Sequence, residues 1–500
     1  MEPDSVTASQ EINDRLFKEC AEYRQNSPHP SRPNIPKLIE PSAWLRVHIL
    51  FQQLILNLEQ NNDSIPKMSL NFEALEHLCI FVRNAAAMDK ANQVAARKHA
   101  VVDDIKETIA AMTTRELVWT EAMKCGTAAA QALSNIVTGN KELQLYLMES
   151  ELLSCNSSVI DKKKDPEDSV YWHLLSSASG NTRMAGLVLL LNSIKVNSAL
   201  ARLLCSSDNG RLIAQKIGQM FGDDVNDESE AKTILYVLLA QFIENGCLAD
   251  LLTETPTLDM FGLVEALAVY CNENKDLGVI LNDPSVYMLL QSLSGILKST
   301  HRVLGLVWDS KPATVAVADS NSPIDTDYLV STHRSMAATL SALGLLTTDC
   351  SAEAVDQMIQ SGIPHRVIEL LGLLSTHLPR IESAKDQQDM SRQLLSEDSV
   401  TKQLFMFKRD LIRIIGNLAH RHTTAQNLIR DLDGLALVLD HMKIDDNHPF
   451  IKEYAIVALK SLLQGNTENQ DFIRKMDDRG IAADQDPKLA ASMGILPNKP

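Results

Sequence analysis

Two stretches of the sequence are near copies of each other. Residues 129–147 read AAQALSNIVTGNKELQLYL and residues 455–473 read AIVALKSLLQGNTENQDFI, with seven of 19 positions identical. The shared apolar positions recur at helical spacing. A unit that recurs along a long chain is typical of stacked-helix arrays, in which each unit buries its apolar face against its neighbours. The sequence therefore predicts an all-α fold whose core grows with the number of units.

The recurring mark of the unit is an Asn near the end of an apolar helix, followed nine residues later by Gln. It occurs at Asn84, Asn135 and Asn417, with Ser461 in place of Asn in one copy and no Gln after Asn192. The interval from Asn417 to Ser461 is 44 residues, inside the roughly 40 to 47 residues of HEAT and armadillo repeats. Helices that open at glycine, as in SGIPHRVIELLGLL, alternate with this unit and resemble the second helix of an armadillo repeat. We expect an armadillo-like helical-repeat superhelix, an α-solenoid of roughly ten units.

The period and the polar insertions predict the domain organisation. Residues 1–36 are interpreted as a partly disordered lead-in, 37–308 as N-terminal repeats, 309–327 as a loop, 328–480 as C-terminal repeats, and 481–500 as a tail.

Two helix starts in the C-terminal repeats have the spacing of a capping box. Thr423 precedes Gln426 by three residues, and Thr467 precedes Gln470 by the same interval. In a capping box the hydroxyl and the later side chain each satisfy a free backbone N–H. We therefore expect both pairs to cap their own helices.

The charge balance argues against nucleic acid and anionic membranes as partners. The chain carries 64 Asp and Glu against 47 Lys and Arg, for a net charge of −17. Its one basic run, Lys162 to Lys164, is flanked by carboxylates and is interpreted as a solvated loop. No apolar run is long enough to span a bilayer and the N-terminus lacks the pattern of a secretion signal, so we expect a cytoplasmic protein.

Residues suited to catalysis or metal binding form no recognisable motif. The eight cysteines lie at least 24 residues apart, which predicts reduced thiols in helical cores. His420 and His422 point to different helix faces, so we interpret them as solvated helix-end residues. Phosphate-binding glycine loops, nucleophile elbows and zinc-protease motifs are absent from the sequence. We expect a chain that is not an enzyme, has no cofactor or metal, and binds other proteins; a homo-oligomer stays open.

The recurring asparagines have two interpretations. Asn is an indifferent helix former, so its presence in the last turns of apolar helices requires a reason. The structural interpretation is that each amide bonds the backbone of an adjacent unit. The functional one is that Asn84, Asn135, Asn192 and Asn417 line a groove and hold an extended peptide, as in armadillo adaptors of the nuclear-import kind. In those proteins Trp stands four residues before the Asn, whereas this sequence has Ile80, Gln131, Val188 and Arg413.

Residues 407–470 closely resemble the C-terminal homology region of the ataxin-10 family. We expect that region to extend over about residues 404–476 of this chain. A departure is Tyr454, where the family more often has Trp. The marks of the resemblance are Phe407, Lys408, Leu411, Ile412, Arg413, Gly416, Asn417, Leu418, Leu432, Asp433, Gly434, Asp445, Asp446, Asn447, Pro449, Phe450, Ile451 and Glu453.

The resemblance implies an armadillo-like, non-catalytic cytoplasmic scaffold or adaptor that acts in cell division, and particularly in cytokinesis, through protein–protein interaction. The fungal branch of the family carries a copper-transport name, which gives copper homeostasis as an alternative of a different class. The sequence has no Met or Cys cluster suited to Cu(I).

A charged strip inside the resembling segment is a further candidate for partner contact. Asp445 and Asp446 precede a helix start, and Lys452 and Glu453 lie in its first turn. Charge at a helix start stabilises it by roughly 0.3 to 1 kcal/mol, which is the structural explanation. Contact with a partner protein on an exposed turn is the alternative.

Overall fold

The structure is a computed structural model. It describes residues 3–28, 38–60, 65–113, 120–153, 168–223, 230–252, 261–309, 316–317, 320–323, 326–378, 399–443, 445 and 450–477. The chain divides into two compact units, the first made of residues 1–217 and 224–245, the second of residues 218–223 and 246–500. The predicted tail, 481–500, lies outside the described residues.

Helices α1 to α12 precede residue 246, and the end of α11, residues 218–223, is grouped with the second unit. Their bounds are α1 Pro3–Gln25, α2 Pro41–Gln60, α3 Ile65–Met88, α4 Lys90–Lys98, α5 Val101–Thr113, α6 Thr120–Val137, α7 Lys141–Leu152, α8 Val170–Leu175, α9 Gly180–Ile194, α10 Ser198–Ser206, α11 Asp208–Asp223 and α12 Glu230–Glu244.

The second unit contains the remaining helices and a short hairpin. The bounds are α13 Leu248–Leu251, α14 Phe261–Glu273, α15 Gly278–Leu281, α16 Val286–Asp309, β1 Ala316–Val317, β2 Ser320–Pro323, α17 Thr326–Leu346, α18 Ala352–Gln360, α19 Ile363–His377, α20 Ser399–Ala419, α21 Thr423–Asp431, α22 Gly434–Asp440, α23 Ile451–Leu463 and α24 Thr467–Asp477. The two strands pair antiparallel, with Val317 opposite Ser320.

Repeats of three helices occur in both compact units, and the prediction of an all-α helical repeat is confirmed. In the first unit α3, α6 and α9 pack side by side, and the pairs α4–α5 and α7–α8 connect them. In the second unit α17, α20 and α23 pack in the same way, connected through α18–α19 and α21–α22. We call the long helix that ends each three-helix repeat its third helix.

The structure describes helices in and around two of the predicted segments. The predicted lead-in contains α1, which packs on α3 and buries Leu16 and Cys20. The predicted boundary at 309–327 lies inside the second unit, because α14 and α16, which precede it, both pack on α17, which follows it.

A residue with left-handed backbone precedes two of the helices that the sequence places at glycine. Gly362 precedes α19 with φ 82°, a conformation that costs glycine little. At the corresponding start of α22 the left-handed residue is Asp433, with φ 63°, rather than Gly434. Asp tolerates this region better than most side chains.

The predicted capping boxes are wrong. The residue that caps α21 is His422, whose Nδ1 accepts from the backbone N–H of Ala425 at 3.2 Å. In α24 the backbone N–H of Asn469 donates to the side-chain Oδ1 of Asn466 at 3.0 Å. His422 is therefore a largely buried cap rather than a solvated residue, with its Nε2 3.3 Å from Asp356.

Candidate interaction grooves

The recurring asparagines tie each third helix to the helix before it. Nδ2 of Asn135 donates to the carbonyl of Arg83 at 2.9 Å, and Nδ2 of Asn192 donates to Oγ of Ser134 at 2.8 Å. These bonds run from α6 to α3 and from α9 to α6. Both bonds join adjacent repeats, as the structural interpretation expects, but only Asn135 bonds a backbone carbonyl, whereas Asn192 bonds a side-chain hydroxyl.

The other two members of the set make equivalent bonds. Asn84 donates to Oγ of Ser27, just after α1, at 2.9 Å. Asn417 on α20 donates to the end of α17, at 3.1 Å to Oγ1 of Thr347 and 3.3 Å to the carbonyl of Gly344. All four side chains keep part of their surface exposed.

The glutamines nine residues later bond in the opposite direction along the array. Nε2 of Gln93 donates to the carbonyl of Asn135 at 2.8 Å, and Nε2 of Gln144 donates to the carbonyl of Asn192 at 2.7 Å. In the last repeat Gln426 donates to the carbonyl of Ser461 at 2.8 Å. A repeat that has both residues therefore bonds the preceding repeat through its Asn and the following repeat through its Gln, which explains the spacing found in the sequence.

A groove between α20 and α23 exposes apolar side chains. The helices approach closely at Gly416, where an added Cβ would lie 2.9 Å from Cα of Ala458. The cavity beside them has a volume of about 790 Å³. We call it the C-terminal groove; it is lined by Asp349, Met406, Arg409, Ile412, Arg413, Gly416, Asn417, His420, Phe450, Glu453, Tyr454, Val457, Ala458 and Ser461.

Four apolar side chains of this groove are exposed. Phe450 is 67% exposed, Val457 65%, Met406 38% and Tyr454 36%. Met406 and Phe450 lie 44 residues apart, one repeat period, and so occupy equivalent positions in successive repeats. Sequence reasoning missed all four, although shifting Arg413 by the same period gives Val457 and would have located this stripe.

Two guanidinium groups share one carboxylate at the rim of the groove. Arg409 bonds both oxygens of Asp410, with Nη2 3.0 and 3.2 Å from them. Nη2 of Arg413 lies 3.6 Å from the same carboxylate, and its buried Nε has no hydrogen-bond acceptor among the described residues. The Arg409 guanidinium also lies 5.9 Å from the ring centre of Tyr454.

The charged strip predicted beside this groove is split by the structure. Glu453 is exposed and lines the C-terminal groove, and Lys452 is partly exposed outside it. Asp445 is only 4% exposed. Burial lowers the pKa of the Lys408 amine to about 8, and the carboxylates of Asp445 and Asp440 act against this lowering. Asp446 lies outside the described residues.

A second cavity, of about 530 Å³, lies along α6 and α9 in the first unit. We call it the N-terminal groove; it is lined by Arg83, Thr127, Gln131, Ser134, Asn135, Asn181, Met184, Ala185, Val188 and Asn192. Arg83 donates from Nη1 to Oε1 of Gln131 at 2.8 Å and from Nε to Oδ1 of Asn84 at 3.1 Å. Burial lowers the pKa of Arg83, the Arg24 guanidinium lowers it further, and Glu76 acts against both.

A buried Ser–His contact in the second unit lacks the geometry of a nucleophile. Oγ of Ser375 donates to the carbonyl of Leu371 at 2.6 Å, so its proton is directed away from Nε2 of His441, which lies 3.3 Å from that oxygen. Nδ1 of His441 faces the carbonyl of Leu437 at 2.8 Å, where a triad would have a carboxylate. The pair therefore contributes to packing between α19 and α22.

Neither a metal cluster nor a disulfide occurs in the part of the chain that the structure describes. Groups of three or more His, Cys, Asp or Glu side chains able to hold a metal are absent from these residues. Among the seven described cysteines none is paired in a disulfide, and six are buried. In the same residues no single helix is long and apolar enough to span a membrane; α9 and α10 pass that test only when joined across a 120° bend.

Comparison with known proteins places the relationship in the C-terminal repeats. A family model described as "Spinocerebellar ataxia type 10 protein domain" matches residues 407–496. Ataxin-10 of Xenopus tropicalis is 35% identical over 134 residues, which cover 27% of this chain and 26% of that protein. Human ataxin-10 is 33% identical over 134 residues, or 27% of each chain.

The Ataxin-10 homolog of Saccharomyces cerevisiae is 46% identical over 74 residues, covering 15% of this chain and 13% of its own. The matched part thus spans about a quarter of the animal relatives and less of the yeast one. An engineered protein of known crystal structure covers 97% of this chain and 94% of its own, at 14% identity and a TM-score of 0.34. Residues 407–496 thus match the ataxin-10 family model, and it is this region of the chain that is similar to ataxin-10 proteins.

Proposed function

We propose that the chain is a non-enzymatic scaffold or adaptor that binds partner proteins at the C-terminal groove. We further propose that this binding regulates cytokinesis in the cytoplasm, as the resemblance of residues 407–470 implies. The observation that carries the proposal is the set of four exposed apolar side chains that line one groove, three of them within the matched residues 407–496.

The energetics of the groove favour association. Exposed aromatic and aliphatic side chains gain free energy when a partner removes them from water, at about 25 cal/mol per Å² of apolar surface. Aromatic side chains and arginine are also the residues that most often dominate binding energy at protein interfaces. Phe450, Tyr454 and Arg409 bring both types together on one surface.

The C-terminal groove is a poor match for a basic peptide of the nuclear-import type. Arg413 stands four residues before Asn417, where such adaptors have Trp, and its guanidinium is only loosely paired, at 3.6 Å from Asp410. A second cation placed there would be repelled. This observation favours the scaffold over the import adaptor as the function of this groove.

Matched substitutions test the proposal. Val457→Asp puts a carboxylate into the groove at an exposed position, and Val94→Asp makes the same change at a 54% exposed position on α4, outside both grooves. We expect Val457→Asp to remove partner proteins from the purified chain, measured by quantitative mass spectrometry, while Val94→Asp retains them. Circular dichroism should show that both variants keep the wild-type helix content.

The cellular part of the proposal needs a separate readout. Cells whose own copy is replaced by Val457→Asp should fail to separate daughter cells more often than cells carrying Val94→Asp. Normal division together with an unchanged set of bound proteins would refute the assignment of the C-terminal groove. Lost binding with normal division would refute only the role in cytokinesis.

A further inference from the structure

The lining of the N-terminal groove is unusual for a strongly acidic chain. The chain has a net charge of −17. Among the residues that the structure describes, no carboxylate lines this groove, and the single charged lining residue is Arg83. The other polar lining residues are uncharged, namely Thr127, Gln131, Ser134, Asn135, Asn181 and Asn192.

The charge of Arg83 is met inside the groove by neutral oxygens. Its hydrogen bonds there go to the amide oxygens of Asn84 and Gln131. The nearby carboxylate of Glu76, which acts on Arg83, also forms an ion pair with Arg24, whose Nη1 lies 4.0 Å from Oε1 of Glu76. Two guanidinium groups and one carboxylate therefore leave positive charge beside the groove. A carboxylate bonded to arginine makes a charge-assisted hydrogen bond, which is about twice as strong as the bond to a neutral amide.

The groove also presents hydrogen-bonding groups at repeat spacing. A primary amide has two N–H donors and one carbonyl acceptor. Asn135 and Asn192 each use one N–H on the preceding helix. Neighbouring packed helices lie roughly 8 to 10 Å apart, a distance that two to three residues of an extended chain cover. Amides on successive third helices are thus spaced to contact the backbone of an extended peptide.

We propose that the N-terminal groove binds an extended peptide segment that carries acidic side chains. The amides of Asn135 and Asn192 bond the peptide backbone, and Arg83 binds a carboxylate of the peptide. Met184 and Val188 provide apolar contact on α9. This site differs from the C-terminal groove, whose exposed surface is largely apolar and aromatic.

Peptide selection on the full chain tests the proposal and requires no identified partner. The probe is a phage-displayed library of random peptides of about twelve residues, which extend to roughly 40 Å. We expect one enriched class to be rich in Asp and Glu. Members of that class, synthesised with a fluorophore, are then titrated with the chain by fluorescence anisotropy.

Two arginine variants separate the groove from general charge. Arg83→Gln removes the groove cation, while Arg183→Gln removes a cation on α9 that bonds the carbonyls of Ser177 and Ala178 and does not line the groove. We expect the acidic peptides to bind Arg83→Gln about tenfold more weakly, to bind Arg183→Gln normally, and to recover on Arg83→Lys. Replacing Glu by Gln in the peptide should cause a similar loss on the wild-type chain, a measurement that does not depend on how any variant folds.

The outcomes distinguish this proposal from the one on the C-terminal groove. Acidic peptides should bind Val457→Asp as they bind the wild-type chain. Selection of basic peptides, selection of no acidic class, or equal binding of the Glu and Gln peptides to the wild-type chain would overturn the proposal. None of these results would bear on partners that depend on Val457.

Discussion

Replacing Gln426 by Ala should destabilise the last two repeats locally. The Gln426 side chain is 1% exposed, and its Nε2 donates to the carbonyls of Ala419, Ser461 and Gln464 at 3.1, 2.8 and 3.2 Å. Its Oε1 accepts from Asn466 at 3.1 Å. The side chain therefore connects α20, α21 and the end of α23, with its two N–H groups shared among three carbonyls and its oxygen accepting one further bond.

The magnitude follows from the groups left without partners. A protein hydrogen bond contributes about 1 kcal/mol net, and a buried polar group left unpaired costs about 1 to 3 kcal/mol. The three carbonyls stand at helix C-terminal ends, where they have no donor inside their own helix. Gln464 is exposed, so water can replace one of the lost bonds, and we expect the lower part of that range for each. The free energy of unfolding of this region should fall by about 2 to 4 kcal/mol.

Gln470→Ala is the matched control. Gln470 occupies the same position one repeat later, but its Nε2 donates to the carbonyl of Leu463 alone, at 2.9 Å, and its side chain is partly exposed. We expect a loss of about 0.5 to 1 kcal/mol for this variant. The comparison holds the chemical change constant and varies the number of hydrogen bonds made to other helices, together with the burial of the side chain.

Hydrogen exchange of the full chain, followed by mass spectrometry, measures the effect helix by helix. Amides of α23 should exchange faster in Gln426→Ala, while those of α6 in the first unit keep the wild-type rate. Equal effects of the two substitutions on α23, or a loss below about 0.5 kcal/mol in Gln426→Ala, would refute the role of this glutamine as an inter-repeat connection.

Three further outcomes are expected. Leu459→Asp forces a charge into a position that is 1% exposed, so the free energy of unfolding should fall by more than about 4 kcal/mol. Val457→Asp on the same helix should change the free energy of unfolding by less than about 1 kcal/mol. An unchanged melting temperature for Leu459→Asp would contradict the packing. Burial raises the pKa of Asp104 from 3.8 to about 6, so its contribution to stability is present below pH 3.8 and is lost as the pH rises through 6. Asp104→Asn should therefore flatten the fall in melting temperature across this window, and identical pH profiles would contradict the argument. Burial lowers the pKa of Lys408 from 10.5 to about 8, so its contribution is present above pH 10.5 and is lost as the pH falls through 8; Lys408→Met should remove that dependence from denaturation curves measured between these values.

The repeat and its core were predictable because they depend on local periodicity. Ala458 and Leu459 are among the apolar positions that the two near copies share at helical spacing, and both are 1% exposed. The recurring Asn and Gln were also visible as a pattern. Their partners were not, because Asn135 bonds a residue 52 positions away and Gln426 bonds one 35 positions away.

The capping error has the same physical origin. Thr423 and Gln426 have the spacing of a capping box, and a single helix considered alone would allow that interaction. In the folded chain the Gln426 amide bonds three carbonyls outside its own helix. The cap is then formed by His422. Contacts across the repeat interface therefore decide which local motif forms.

The C-terminal groove shows why a docking surface is harder to predict than a core. Phe450 and Val457 are apolar residues at helical spacing, a pattern that normally indicates burial. Whether such residues are buried depends on what packs against the helix. Both remain more than 60% exposed, so the same pattern describes a core in one repeat and an accessible surface in another.

The constant and variable positions of the third helices separate stability from recognition. The Asn at the end of each helix and the Gln that follows it are engaged between repeats. The position four residues before the Asn is Ile80, Gln131, Val188 and Arg413 in turn, and all but the first line a groove. A repeat can thus change what its groove binds without losing the hydrogen bonds that connect it to its neighbours. On this argument, exchanging Gln131 and Arg413 should alter binding at each groove more than it alters unfolding, whereas exchanging Asn417 for Ala should alter unfolding more than binding.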